Sequence, residues 1–197
     1  MLFTEAQMRF VADCASRVKE AGGDELAVIK AVGQANATAG DGRLNATLYA
    51  IVDFCAGECS RQESGPLSVS WMLSAYDFAV RKHGENAGVI VEDDVLEMLA
   101  MIEPKKNASG YRRTPVYFAN RNTIGAENIE HQMTNLIRYQ DALEPLEFYI
   151  ELERIHPAHD GNGRLGAILI NWKSGTLLTP AVPPQVDFSK PYTEISP

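Results

Sequence analysis

Between positions 156 and 164 the chain sets a histidine, a carboxylate, a glycine-flanked asparagine and an arginine in one run, His156-Pro157-Ala158-His159-Asp160-Gly161-Asn162-Gly163-Arg164. Each type has a task in handling a diphosphate. The ordinary pKa of histidine lies closest to neutrality, so His156 can take a proton from a hydroxyl. Asp160 can hold a hard divalent cation such as Mg2+, which takes one or two carboxylates and completes its shell with water and phosphate oxygens. Gly161-Asn162-Gly163 tolerates left-handed backbone and turns successive amides toward a common point without using side chains. Residues 164–172 read as a helix opening on that turn, so its first amides and its dipole also favour an anion. Arg164, in the first turn, adds a forked donor that matches phosphate oxygens.

The elements that must position these groups are mostly helical. Pro145 opens a segment in which Leu146, Tyr149, Ile150, Leu152 and Ile155 fall on one face, which predicts a buried helix delivering His156 to its end. Helical spacing also predicts helices over 4–20, 25–35 and 44–60, with a break at Ser64-Gly65-Pro66. A further helix capped by Ser68 or Ser70 is expected through Arg81, ending near Gly84. Residues 92–102 carry Asp93 and Asp94 in the first turn, where acidic groups suit the dipole, and Pro104 closes that helix. β-Branched and aromatic residues at 114–119, followed by Asn120-Arg121-Asn122, predict the one strand and turn. Residues 127–143 return to helix. From position 179 onward Pro180, Pro183, Pro184, Pro191 and Pro197 predict an extended tail.

The run at 156–164 resembles the signature loop of the Fic (Fic/Doc) family, H-P-F-x-D/E-G-N-G-R-x-x-R, with His156, Pro157, Asp160, Gly161, Asn162, Gly163 and Arg164 in place. It departs at two positions: Ala158 stands for the core-anchoring Phe, and Ala167 for the second Arg. Ser109-Gly110-Tyr111-Arg112-Arg113 before Val116-Tyr117-Phe118 is similar to the family's G-x-Y-R stretch leading into a flap. The resemblance implies an all-α, mainly helical fold with a short β-hairpin flap. It divides the chain into a helical extension (1–65), a Fic-like core (66–173) and a Pro-rich tail (174–197). It further implies a base at His156, Mg2+ at Asp160, donor phosphates at Gly161, Asn162, Gly163 and Arg164, and a target segment paired along Val116, Tyr117 and Phe118. Thr123-Ile124-Gly125-Ala126-Glu127-Asn128 fits the family's short inhibitory pattern but follows the flap instead of lying on a terminal helix, and the dipole explains Glu127 at a helix start.

The remaining composition is that of an ordinary globular chain: 45% hydrophobic and 22% charged over 197 residues. A net charge of −8 and a pI near 5.0 argue against nucleic acid as a partner. No apolar run reaches a membrane span, the first residues lack a signal-peptide pattern, and the expected location is the cytoplasm. Cys14, Cys55 and Cys59 form no C-x-x-C pair and read as buried thiols in a reducing compartment. The sequons at Asn36, Asn45 and Asn107 carry no weight without secretion.

What the resemblance implies for function is transfer of a nucleotide, most often AMP from ATP, to a Ser, Thr or Tyr hydroxyl of a protein substrate. Ala167 offers no cation for a third phosphate, which keeps two alternatives open: a diphosphate donor, or removal of the modification. A third is a degenerate binding module, since loss of a phenyl anchor costs about 3 to 5 kcal/mol in a packed core. Oligomeric state is not set by the sequence.

Overall fold

The computed structural model describes residues 42–118, 121–122 and 124–188; the helices expected over 4–20 and 25–35, together with Cys14, lie outside them. In chain order the elements are α1 (Gly42–Arg61), α2 (Pro66–Glu85), α3 (Glu92–Ile102), the short strands β1 (Tyr117–Phe118) and β2 (Arg121–Asn122), α4 (Ile129–Arg138), α5 (Pro145–Ile155) and α6 (Asn162–Lys173). Turns of 3-10 helix, Ala126–Asn128 and Gln140–Ala142, flank α4.

Local chemistry accounts for the boundaries. Glu144 and Glu147 form a reciprocal capping box ahead of Pro145, satisfying amides that the first turn of α5 cannot pair within the helix. Proline at the first turn also opens α2, with Gly65 as its cap. The expected serine caps are therefore internal: the Ser70 hydroxyl donates to the Leu67 carbonyl at 2.8 Å, and the helix passes Gly84 to end at Glu85. The helix expected over 127–143 is shortened to α4 because Gln140 is drawn inward. Its side-chain amide donates to Ile90 O at 2.8 Å and accepts from Ile90 N at 2.9 Å, taking the place of a paired strand.

The expected short β-hairpin flap is not seen as a developed hairpin. Among the described residues the antiparallel pairing is confined to Tyr117 with Asn122 and Phe118 with Arg121, so the strand expected over 114–119 contracts to two residues and the fold is mainly helical.

Helix α6 runs through the middle of the molecule. Every residue of it except Gly163 and Lys173 is buried, as expected of a helix surrounded by others. It packs on α5, α2, α3 and α1, while α2 lies against α3 and α1. Ile51, Met72, Leu73, Met98, Leu99, Phe148, Ile168 and Trp172 form the shared core, each contributing about 1.5 to 3 kcal/mol on burial. Close approach of α5 to α6 depends on Gly166, where a Cβ would lie 2.5 Å from Glu153 Oε1 and 2.8 Å from Tyr149 Cε2. Cys55 and Cys59 are free and buried; burial pushes the Cys59 thiol up to about 12. No helix among the described residues is long and apolar enough to cross a membrane.

Candidate active site

Helix α5 ends at Ile155, and His156 follows as its C-cap with φ 51° and ψ 61°. Left-handed backbone at a residue bearing a Cβ costs about 1 to 3 kcal/mol and needs surrounding structure to hold it. Arg112 supplies that hold. Its Nε donates to His156 O at 2.6 Å, one terminal nitrogen to Ile155 O at 3.3 Å, and its own amide to Pro157 O at 2.8 Å. The same guanidinium reaches Thr114 O at 2.9 Å and Ile124 O at 2.7 Å, tying the two ends of the β1–β2 segment to the histidine. Sequence reading placed Arg112 only in a resemblance; its positioning role depends on which carbonyls converge on it, which no spacing reveals.

The imidazole has a defined tautomer. Nδ1 lies 3.3 Å from Glu153 O, a group that only accepts, so Nδ1 carries the proton and Nε2 the lone pair. Burial is the main cause that lowers the His156 pKa to about 4, aided by the Arg112 charge and opposed by the Glu153 carbonyl and Asp160. The ring is therefore a neutral base throughout the physiological range. Beneath it, burial and the nearby Glu58 carboxylate raise Glu153 to about 8, so this side chain is a neutral acid at pH 7. Glu153 Oε1 has no hydrogen-bond partner among the described residues.

The turn that follows is closed by its own asparagine. Asn162 Oδ1 accepts from Ala158 N at 2.8 Å and Asn162 Nδ2 donates to Ala158 O at 3.0 Å, with Ala158 fully buried. This staple keeps the loop shut without the phenyl anchor. Asn107, also fully buried, ties the loop to α3, donating to Asp160 O at 2.9 Å and accepting from His159 N at 3.2 Å. The acceptor side chain of that sequon is thus inside the protein, while Ala108 and Ser109 are exposed. Gly161 has φ +82°, and a Cβ there would lie 2.5 Å from Ile102 Cγ2. The first intrahelical bond of α6 is Leu165 N to Gly161 O at 2.9 Å, so the amides of Asn162, Gly163 and Arg164 precede it at the positive end of the helix.

Arg164 departs from expectation. Its side chain is 2% exposed, bonds to Glu103 Oε1 at 2.7 Å, Ile102 O at 3.3 Å and Asp160 Oδ1 at 3.3 Å, and does not line the cleft. A guanidinium folded under the loop satisfies the carbonyl at the end of α3 and steadies Asp160 in place of meeting a ligand. Ala167 is likewise fully buried, within the core and not on the cleft.

Asp160 faces the cleft with 38% of its side chain exposed. Burial alone would raise its carboxyl, but the Lys106 hydrogen bond and charge, the Gly161 amide and Arg164 outweigh it and hold the group below its ordinary value. Among the described residues no three ligating side chains converge on one point. A single ionised carboxylate fits a hard cation that takes its other ligands from water and phosphate, provided Lys106 yields its oxygen.

Together these groups line a cleft of 780 Å³. His156, Asp160, Gly161, Asn162 and Gly163 form its floor; Val116 lies at the flap side. Tyr117 and Phe118 are described by backbone alone, and Glu127 is exposed on its short turn. Two walls come from outside the expected core. The end of α1 contributes Glu58, Arg61 and Gln62, and the Pro-rich tail contributes Val182, Pro183, Pro184, Gln185, Val186 and Phe188. The described part of the tail, residues 174–188, holds no helix or strand and runs along the cleft. Asn171 fixes its start through Ala181 O at 2.9 Å and Ala181 N at 2.8 Å, and the Phe188 ring stands edge-on to Tyr149 at 6.3 Å.

A search of curated proteins finds no similar sequence. The profile of the Fic/DOC family matches residues 66–173, the segment running from the first turn of α2 to the end of α6. That span holds the histidine, the acidic residue and the glycine-flanked turn in the geometry just described, and the match covers more than half of the chain. By its motif and its matched core, this chain belongs to the Fic/DOC family, whose members are generally transferases acting on proteins.

Proposed function

We propose that the protein transfers a nucleotide to a protein hydroxyl, with AMP from ATP as the leading donor chemistry. The observation that carries this reading is the placement of a neutral, tautomerically fixed His156 beside the amides that open α6, within one cleft. His156 Nε2 takes the proton of a Ser, Thr or Tyr hydroxyl, and that oxygen attacks the donor's α-phosphorus as the bond to the bridging oxygen breaks and pyrophosphate leaves. The amides of Asn162, Gly163 and Arg164 and the α6 dipole stabilise the charge gathering on the phosphoryl oxygens. Mg2+, when bound through Asp160 and donor phosphates, would add neutralisation of that charge. In this role Arg164 acts from behind, by steadying Asp160. The short β1 edge with Val116 beside it would present the target segment next to His156 by main-chain pairing, and the apolar tail wall with Tyr149 suits the flat face of a nucleobase.

The buried Arg164 and Ala167 favour a second reading, a diphosphate donor or a reaction that removes a phosphodiester. Incubating the purified protein with nucleoside triphosphates, dinucleotides and CDP-linked donors, and reading intact mass on itself and on a lysate, tests both. A nucleotide-sized mass increase with ATP supports the first reading; an increase with only a diphosphate donor, or a corresponding mass loss from an already modified protein of the lysate, supports the second; neither gain nor loss overturns both.

A further inference from the structure

A cleft that holds a polyphosphate needs a cation open to it, yet the arginine of the signature loop faces away. Arg164 is occupied by Glu103, Asp160 and the Ile102 carbonyl, and position 167, one turn later, is an alanine buried in the core. Lys106 is paired with Asp160 and does not line the cleft. Among the described residues, the arginine that does line it is Arg61, in the last turn of α1. The Arg61 side chain is 45% exposed. Its neighbour Gln62 reaches over the loop: a Cβ on Gly163 would lie 2.9 Å from Gln62 Nε2. The end of α1 is thereby seated against the turn whose amides open α6. Arg61 is drawn back along its own helix by Glu58, which also accepts a bond from Gln62 at 3.4 Å. Glu58 therefore keeps a donor when Arg61 swings toward a ligand.

We propose that Arg61 binds the outermost phosphate of the donor, supplying from α1 the cation that the signature loop of this chain lacks. The proposal rests on the nucleotide-donor reading above and locates discrimination between tri- and diphosphate donors outside the family-matched segment. A guanidinium fork meets two phosphate oxygens at once, whereas an ammonium meets them as a point charge.

Calorimetric titration of the full chain with ATP, ADP, tripolyphosphate and pyrophosphate tests it, the last two removing any contribution of the base. The unmodified protein should bind ATP about tenfold tighter than ADP, and tripolyphosphate tighter than pyrophosphate by a similar factor. Arg61→Gln should bring both ratios close to one while leaving ADP affinity unchanged. Arg61→Lys, which keeps the ion pair with Glu58 and so guards against misfolding, should retain only part of the preference. Ratios near one in the unmodified protein, or ratios unchanged in both variants, would overturn the role of Arg61 while leaving a nucleotide donor in place. Failure of the unmodified protein to bind any of the four would remove the donor reading itself, and the inference with it.

Discussion

The two ends of the signature loop are held by different physics. At the histidine end, one buried arginine, Arg112, bonds to the backbone carbonyls of residues 155 and 156 and passes its own amide to residue 157. At the acidic end, side-chain charges hold one another: Lys106 and Arg164 on Asp160, and Glu103 on Arg164. The first arrangement fixes a geometry that no ligand needs to disturb. The second is a set of compensated charges, of which the exposed Lys106 contact is the one that, on the proposed reading, a metal or a phosphate would replace. The histidine is thus preorganised, whereas the acidic end is held by contacts that exchange more readily.

The largest effect expected of that difference is at the base. His156→Ala should lower transfer by about a hundredfold to ten-thousandfold while changing donor affinity little, since the ring acts on the nucleophile and not on the phosphates. Mass spectrometry of the modified target beside calorimetry of the donor reads both, and an active His156→Ala protein would refute the assignment. Next comes the clamp: Arg112→Met leaves several carbonyls without a charged donor and should cost about 3 kcal/mol or more in denaturant unfolding, with transfer impaired even in the molecules that remain folded. A clamp that acts only on stability would leave kcat of the folded fraction unchanged. Gly161→Ala sharpens the contrast from the loop centre. Its φ of +82° and the contact with Ile102 predict a loss of about 1 to 3 kcal/mol, read as a lowered melting temperature.

Protonation separates the two ends more gently. His156 is held neutral with its pKa lowered to about 4, so between 6.5 and about 4 the unfolded chain takes up a proton that the fold refuses, and stability falls as pH falls. Glu153 is the reverse case: raised from 4.5 to about 8, it keeps a proton that the unfolded chain loses, and stability falls as pH rises through that window. Glu153→Gln should flatten the melting temperature between pH 6.5 and 8 and steepen its fall with acid between about 6.5 and 4.5, where Glu153 otherwise offsets His156. An unchanged alkaline slope would place the cause elsewhere. The acid limb of transfer should lie near pH 4, well below the ordinary histidine value. Smallest of all is the exposed pair at the acidic end: Lys106→Ala should change stability by less than about 1 kcal/mol, and by less still at high salt.

Much of the scaffold was legible because period and punctuation are local. Helix α3 spans the residues 92–102 expected from the acidic first turn and Pro104, and α5 begins at Pro145 and ends where His156 takes over. The signature residues were legible as types, and the structure brings His156, Asp160 and the Gly-Asn-Gly turn into one cleft. Directions were not legible. Whether Arg164 points into the cleft or under the loop depends on Glu103 and the Ile102 carbonyl, distant in sequence. Arg112 gave no sign of its partners, because backbone carbonyls leave no mark on residue type. Gln140 looked like part of a helix face because nothing nearby announced that Ile90 needs a side-chain partner. The tail was expected to be extended and outside the family core, and its place along the cleft was not legible, since prolines specify a local conformation and not what lies beside it.

Asn171, bonded to both the amide and the carbonyl of Ala181, has a practical consequence for anyone dividing this chain. A fragment trimmed to residues 66–173 would keep every residue of the signature and would look complete by its motif. It would also have lost both Arg61 and the segment that Asn171 fastens, leaving the floor of the cleft with two sides open to solvent. Weak donor binding by such a fragment would measure the trimming, and comparisons of donor preference across family members need matched flanks as much as matched motifs.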